Sequence, residues 1–236
     1  MSARLADIIT FSSVDGPGNR FVIFLQGCNF DCISCHNPHT IPLSNHRPVE
    51  VDDVLARLSP AAPFLSGITV SGGEATLQAD FVRDLFTAVK ADPRLARLTC
   101  FVDSNGATEL TTWDDLAPVM DAAMLDLKCL DPEIHRFLTR RDNDQVLASI
   151  RHLQALGKLY EVRLLLHAGW NDDLDLMRRT GEWLADLDPQ MRLKVIGARR
   201  HGTRPHDPAI EEPTPDRLQQ AADTLRAVAP FDVTIV

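Results

Sequence analysis

Cysteine is scarce in this chain, with five in 236 residues, and the odd count rules out a framework of fully paired disulfides. Such usage fits a reducing compartment better than a small secreted scaffold. Positive charge is also in deficit, because 24 lysines and arginines face 33 aspartates and glutamates and leave a formal net charge of -9. That balance repels polyanions, so neither nucleic acid nor an anionic membrane is expected as the main partner. Long apolar runs are missing. Stretches such as Leu164-Leu165-Leu166 fall far short of a bilayer span, and no basic-then-apolar leader opens the sequence, so a cytoplasmic location is expected. Internal repeats, low-complexity tracts and an evident linker are absent as well, which points to one domain over residues 1–236. The 44% of hydrophobic residues is enough for a sizeable core.

Those apolar residues fall into alternating strand and helix patterns. Strands are predicted over 20–26, 67–70, 98–102, 122–127, 159–166, 192–196 and 232–236, and helices over 51–58, 79–90, 143–156, 174–187 and 215–228. Thr214-Pro215 reads as an N-cap followed by proline at the first helical position, and Gly157 as a C-cap glycine. Strands alternating with helices of this length imply a parallel sheet. Polar motifs stand just after several of the strands, and in a barrel of parallel strands all such positions open on one face. The expected fold is therefore α/β, a partial (β/α)6 barrel resembling a TIM barrel left open on one side. Segment 38–48, with three prolines, reads as a surface loop, and 201–215, with four, as a loop bordering the active face.

Three of the five cysteines lie within eight residues, at Cys28, Cys32 and Cys35, directly after the first predicted strand. A C-x3-C-x2-C loop can place three thiolates around one side of a cubane iron–sulfur cluster. Electron carriers normally ligate every iron with protein sulfur, so a loop lacking a fourth cysteine leaves one iron open to a small molecule. For the loop alone, the alternatives are a structural zinc with His36 as fourth ligand, although the second ligand pair usual in such sites is missing, and inert thiols. Cys100 and Cys129 stand singly in or beside strands, as small buried hydrophobes do, and are given no role.

The other candidates also sit at strand ends. Ser71-Gly72-Gly73-Glu74 carries two glycines that permit close backbone approach to a ligand, and its carbonyls can accept from an amino group. Alone, it equally describes a plain strand-to-helix turn. Asp103 and Lys128 lie at or beyond strand ends, and Met124, Asp126 and Lys128 share one strand face, where a buried ion pair is the structural alternative. Arg163 and His167 share a face of another strand, and a planar guanidinium there suits a carboxylate. Asp15-Gly16-Pro17-Gly18 reads as a tight turn, and His36 is expected to hydrogen-bond locally.

In order and spacing, a set of motifs resembles the glycyl-radical-enzyme activating enzymes of the radical S-adenosylmethionine (radical SAM) superfamily, in particular the pyruvate formate-lyase activating group. The motifs are Ser13-Val-Asp-Gly-Pro-Gly-Asn-Arg20, Phe24-Leu-Gln-Gly-Cys28 through Cys35-His-Asn-Pro38, Ser71-Gly-Gly-Glu-Ala75 with Leu77-Gln78, Asp103-Ser-Asn-Gly106, Met124-Leu-Asp-Leu-Lys128 and Gly169-Trp-Asn-Asp-Asp173. They span nearly the whole chain. Ser34 stands where the superfamily usually carries an aromatic residue, and no ferredoxin-like cysteine insert follows the first loop.

The resemblance implies a radical SAM fold and an oxidoreductase of the formate C-acetyltransferase-activating type, at work in anaerobic metabolism. It implies one 4Fe–4S cluster on Cys28, Cys32 and Cys35, with S-adenosylmethionine held by Ser71, Gly72, Gly73 and Glu74, by Asp103 and Lys128, and by Arg163 and His201. It also implies a Na+ or K+ site at Asp103, Ser104, Met124 and Asp126, and contact of Asp15 with the substrate peptide. The protein substrate would be a glycyl-radical enzyme and the electron donor flavodoxin or ferredoxin. Two rivals remain: a radical SAM enzyme acting on a small molecule, in the manner of 7-carboxy-7-deazaguanine synthase, and a non-catalytic iron–sulfur or zinc protein.

Overall fold

The structure, a computed structural model, describes residues 2–44 and 47–236. Positions 45 and 46 of the expected 38–48 loop lie outside the described residues. The strands are β1 (Ser2–Ser12), β2 (Arg20–Leu25), β3 (Arg47–Glu50), β4 (Gly67–Gly72), β5 (Thr99–Ser104), β6 (Ala122–Asp126), β7 (Leu159–Leu166), β8 (Arg192–Gly197) and β9 (Asp232–Ile235). The helices are α1 (Val51–Ala61), α2 (Ala79–Ala91), α3 (Leu110–Leu116), α4 (Pro132–Thr139), α5 (Asp144–Ala155), α6 (Leu174–Ala185) and α7 (Pro215–Val228).

All of the strands join one sheet in the order β3-β1-β2-β4-β5-β6-β7-β8-β9. From β2 to β9 the pairing is parallel, while β1 runs antiparallel to both β2 and β3. The sheet stays open, with β3 and β9 as its two edges. All seven strands and five helices expected from the sequence are present, and Thr214 caps α7 by accepting from the Arg217 N–H at 3.2 Å. Strands β1 and β3 and the short helices α3 and α4 are additional. Part of the expected 38–48 loop is thus an edge strand, and its Pro48 sits where a missing ladder donor is tolerated.

Strand alternation sorts the side chains into two layers. Ile68, Val70, Cys100 and Val102 are fully buried and belong to the same core as the apolar stripe of α2, formed by Phe81, Val82, Leu85, Phe86 and Val89. Each such side chain contributes about 1.5–3 kcal/mol relative to exposure. This placement accounts for Cys100 as a core residue. The intervening positions, Thr69, Ser71, Phe101 and Asp103, face the other side. Register then aligns that inner face laterally, pairing Phe24 with Ser71, Asp103 with Met124, Asp126 with Arg163, and Arg163 with Lys194. No helix among the described residues is long and apolar enough to cross a membrane.

Candidate functional site

The carboxyl ends of the parallel strands surround a cavity of about 320 Å³. Cys28, Cys32 and Cys35 line one wall, half-buried and free of disulfides. Their loop is tied down on both flanks. Gly27 N and Cys28 N donate to Thr40 O and Ile41 O at 2.8 and 3.0 Å, while Asp31 N and Ile33 N donate to Thr139 O and Leu138 O at 3.1 and 3.0 Å. The second pair of acceptors is the carboxyl end of α4, whose unpaired last-turn carbonyls are free for such use. Burial pushes the Cys28 and Cys32 thiols up to about 12 and about 11. They deprotonate readily only against a bound cation, so metal binding there releases protons.

Beside the root of the cysteine loop, Ser71, Gly72 and Gly73 form the cavity's glycine wall, with Gly73 N donating to Leu25 O at 2.9 Å and Glu74 N to Gly27 O at 2.8 Å. Gly72 has φ +126°, and a Cβ on it would come within 2.2 Å of the Leu25 backbone. Only glycine permits this approach without strain. Glu74 does not line the cavity. Its buried carboxylate accepts from Thr76 N at 2.9 Å, Thr76 Oγ1 at 2.7 Å, Ser104 Oγ at 2.8 Å and Asn105 N at 2.8 Å. Burial pushes this carboxyl up, and those four donors oppose the shift. Glu74 therefore clamps the loop after β4 to the loop after β5.

The remaining wall is charged. Asp103 accepts from Arg163 and from Ser71 Oγ, both at 2.9 Å, and Lys128 pairs with Asp126 at 2.8 Å. Deeper in the same layer, Glu161 joins Arg163 at 2.9 Å and Lys194 at 3.1 Å. Burial raises the Asp103 carboxyl against the pull of Arg163. For Lys128, burial works to lower the ammonium, but Asp126 and Cys32 outweigh it and the group stays protonated.

Most of the residues expected from the sequence meet in this cavity: the three cysteines, Ser71, Gly72, Gly73, Asp103, Ser104, Asp126, Lys128, Arg163 and Asp15. Met124 lies behind them, its sulfur 3.0 Å from an Arg163 nitrogen. His201 is exposed and does not join them. His36 bonds locally, as expected, through Nε2 and the Arg199 carbonyl at 3.1 Å. Two features carried no sequence signal. Ser34 Oγ and His167 Nε2 meet at 2.7 Å, which joins the cysteine loop to the end of β7. Arg204, from the proline-rich loop, reaches back to Asp31 and to the Cys32 carbonyl.

The donor set fits an iron–sulfur cluster. Three free thiols share one cavity, and the Cys28 sulfur receives the Phe30 N–H at 3.4 Å and the Asn105 amide at 3.8 Å, the kind of contact that supports a cluster thiolate. Among the described residues, no three His, Cys, Asp or Glu side chains converge on a point that would hold a single ion.

Sequence comparison agrees with this geometry. The Radical SAM superfamily model matches residues 22–179. Together, the fold, the cysteine loop and this match define a radical SAM domain. The chain is 35% identical over 227 residues to the pyruvate formate-lyase-activating enzyme of Streptococcus mutans serotype c, covering 90% of this chain and 86% of that protein. It is also 35% identical over 199 residues to the pyruvate formate-lyase 1-activating enzyme of Escherichia coli strain K12, covering 82% and 79%. The chain belongs to the pyruvate formate-lyase-activating enzyme family of the radical SAM superfamily. Among solved structures, a radical SAM methyltransferase from Sphaerobacter thermophilus shares the fold, with a TM-score of 0.72 at 16% identity over 92% of this chain and 66% of that one.

Proposed function

We propose that this chain activates a glycyl-radical enzyme: it cleaves S-adenosylmethionine reductively and uses the 5′-deoxyadenosyl radical to remove the α-hydrogen from one glycine of a partner protein. The observation that carries this reading is the single cavity joining three free thiols, a glycine wall and a charged wall at the open end of the sheet. The 4Fe–4S cluster, when bound, supplies the one electron that the cleavage needs.

The protein's own groups bind and orient. Cys28, Cys32 and Cys35 hold the cluster and leave one iron without protein sulfur. Backbone carbonyls at Ser71, Gly72 and Gly73 accept from the cofactor's amino group, and Lys128 neutralises its carboxylate. Asp103, held by Arg163 and Ser71, would accept from the ribose hydroxyls. Glu74 acts through the loops that it clamps. A Na+ or K+ ion at Asp103, Ser104, the Met124 carbonyl and Asp126 would share these carboxylates with Arg163 and Lys128, since all-oxygen ligation suits a hard cation. Asp15, on the cavity wall, contacts the substrate peptide, and the open sheet admits it. Pyruvate formate-lyase, named for the relatives, is the first partner to test, and flavodoxin or ferredoxin the reductant. One domain spanning the whole chain, supported by its continuous sheet, carries the activity.

The test is anaerobic. Protein with a full cluster, reduced with dithionite and given S-adenosylmethionine, should form 5′-deoxyadenosine, and Cys32→Ala should form none. Adding pyruvate formate-lyase should then produce an organic-radical EPR signal. No 5′-deoxyadenosine from protein shown to carry a full reduced cluster would overturn the reading.

A further inference from the structure

Asn105 follows β5 and lines the cavity, 8% exposed, and beyond its contact with Cys28 it has been given no role. Its side-chain amide has a fixed orientation. Oδ1 accepts from the Ala107 backbone N–H at 2.9 Å, a group that can only donate, so the NH2 must point the other way. There Nδ2 donates to Asn29 Oδ1 at 2.8 Å and to Cys28 Sγ at 3.8 Å. Asn29 is locked in turn, because its own Nδ2 donates to the Ala107 carbonyl at 2.7 Å. The backbone of Asn105 is held by the Glu74 carboxylate at 2.8 Å. A buried donor is thus aimed at one cluster sulfur by four fixed contacts, and one of them comes from Glu74 at the end of the adjoining glycine loop.

We propose that Asn105 is a positioning residue for the cluster, its amide fixing the Cys28 sulfur and raising the cluster's reduction potential, with Asn29 and Glu74 holding the amide in place. The physical basis is charge. An N–H directed at a ligating sulfur stabilises the more negative, reduced state, and partners beyond the ligand sphere set ligand orientation. Through Glu74 the same residue ties the potential to the loop that would receive the cofactor's amino group. The inference rests on the iron–sulfur reading of the cysteine loop.

The deciding measurement is an EPR-monitored redox titration of reconstituted wild type, Asn105→Leu and Asn29→Ala, with iron and sulfide quantified for each. Both variants should shift the midpoint to more negative potential at unchanged iron and sulfide content, with the larger shift in Asn105→Leu. Asn29→Ala keeps the Asn105 side chain and its bond from Ala107 N while removing the Asn29 bonds to the Asn105 amide and the Ala107 carbonyl, so it decides the matter if Asn105→Leu does not fold or load. Unchanged potential in a loaded Asn105→Leu, or in Asn29→Ala where the first variant does not load, overturns the proposal. A wild-type protein that takes up no cluster overturns the iron–sulfur reading instead, so the two failures are distinguishable.

Discussion

A methyl group on Gly73 would lie 2.2 Å from the Gly27 carbonyl oxygen and 2.8 Å from that of Thr40. Both are backbone atoms at the root of the cysteine loop, so relief requires moving that loop away from the glycine wall. Gly73→Ala should cost about 1–3 kcal/mol of stability and lower 5′-deoxyadenosine formation roughly tenfold or more. Wild-type turnover in this variant would show that the two loops have slack. Arg163 is the opposite case, a residue whose removal leaves charges behind. It bonds Asp103 and Glu161, both largely buried, so Arg163→Met should destabilise by about 3–5 kcal/mol. Urea unfolding checks that figure, and a loss of under about 1 kcal/mol would mean that solvent already screens the pair. The thiols, the glycine wall, Asp103 and Lys128 were legible in the sequence because each motif follows its own strand. Glu74 was not, since its donors Ser104 and Asn105 come from a strand some thirty residues away and turn it from the cavity. The exposure of His201 was equally hidden, because its loop follows a course set by Arg200 bonding the Ile210 carbonyl and Glu212.

Helix α4 shows how an element without a catalytic residue bears on the site. Asp131 caps it by accepting from Glu133 N and Ile134 N, both at 3.0 Å, and Pro132 fits the first turn. Its far end supplies the two carbonyls that hold Asp31 and Ile33. Fraying from the capped end should therefore reach the cysteine loop. Asp131→Ala is expected to lose about 1 kcal/mol of stability and to release cluster iron to a chelator faster than wild type. Equal release rates would show that Thr40 and Ile41 suffice to anchor the loop. The sequence did not announce α4, because eight residues span barely two turns and give periodicity little to register. For β1 the reason differs. Register shifts between Leu5 and Asp7, and again between Ile9 and Ser12, break the alternation on which strand recognition depends. The longer elements were readable because their apolar faces are continuous, as in the α2 stripe.

At the scale of the whole molecule, an apolar layer between sheet and helices carries the stability, while the inner layer spends part of it on charge and burial. His135, on α4, is fully buried against Phe30 of the cysteine loop, with ring centroids 5.8 Å apart, and neither ring nitrogen has a hydrogen-bond partner. The Cys129 backbone lies near the ring but outside bonding geometry. Burial lowers the imidazole to about 4, the positive charge of Lys128 adds to that, and Asp142 opposes it. An unfolded chain binds this proton near pH 6.5 and the folded chain only near 4, so between those values the unfolded state holds more protons. Stability from this group is then complete above about pH 6.5 and falls as pH drops toward 4. At about pH 5 the loss is about 2 kcal/mol. His135→Phe keeps an aromatic ring against Phe30 and removes the titration. Urea unfolding at about pH 7 and about pH 5 should show wild type losing about 2 kcal/mol more than this variant. Equal losses would mean that the ring gains a proton acceptor or water on acidification, and that the wall behind the cysteine loop is more open than its burial indicates.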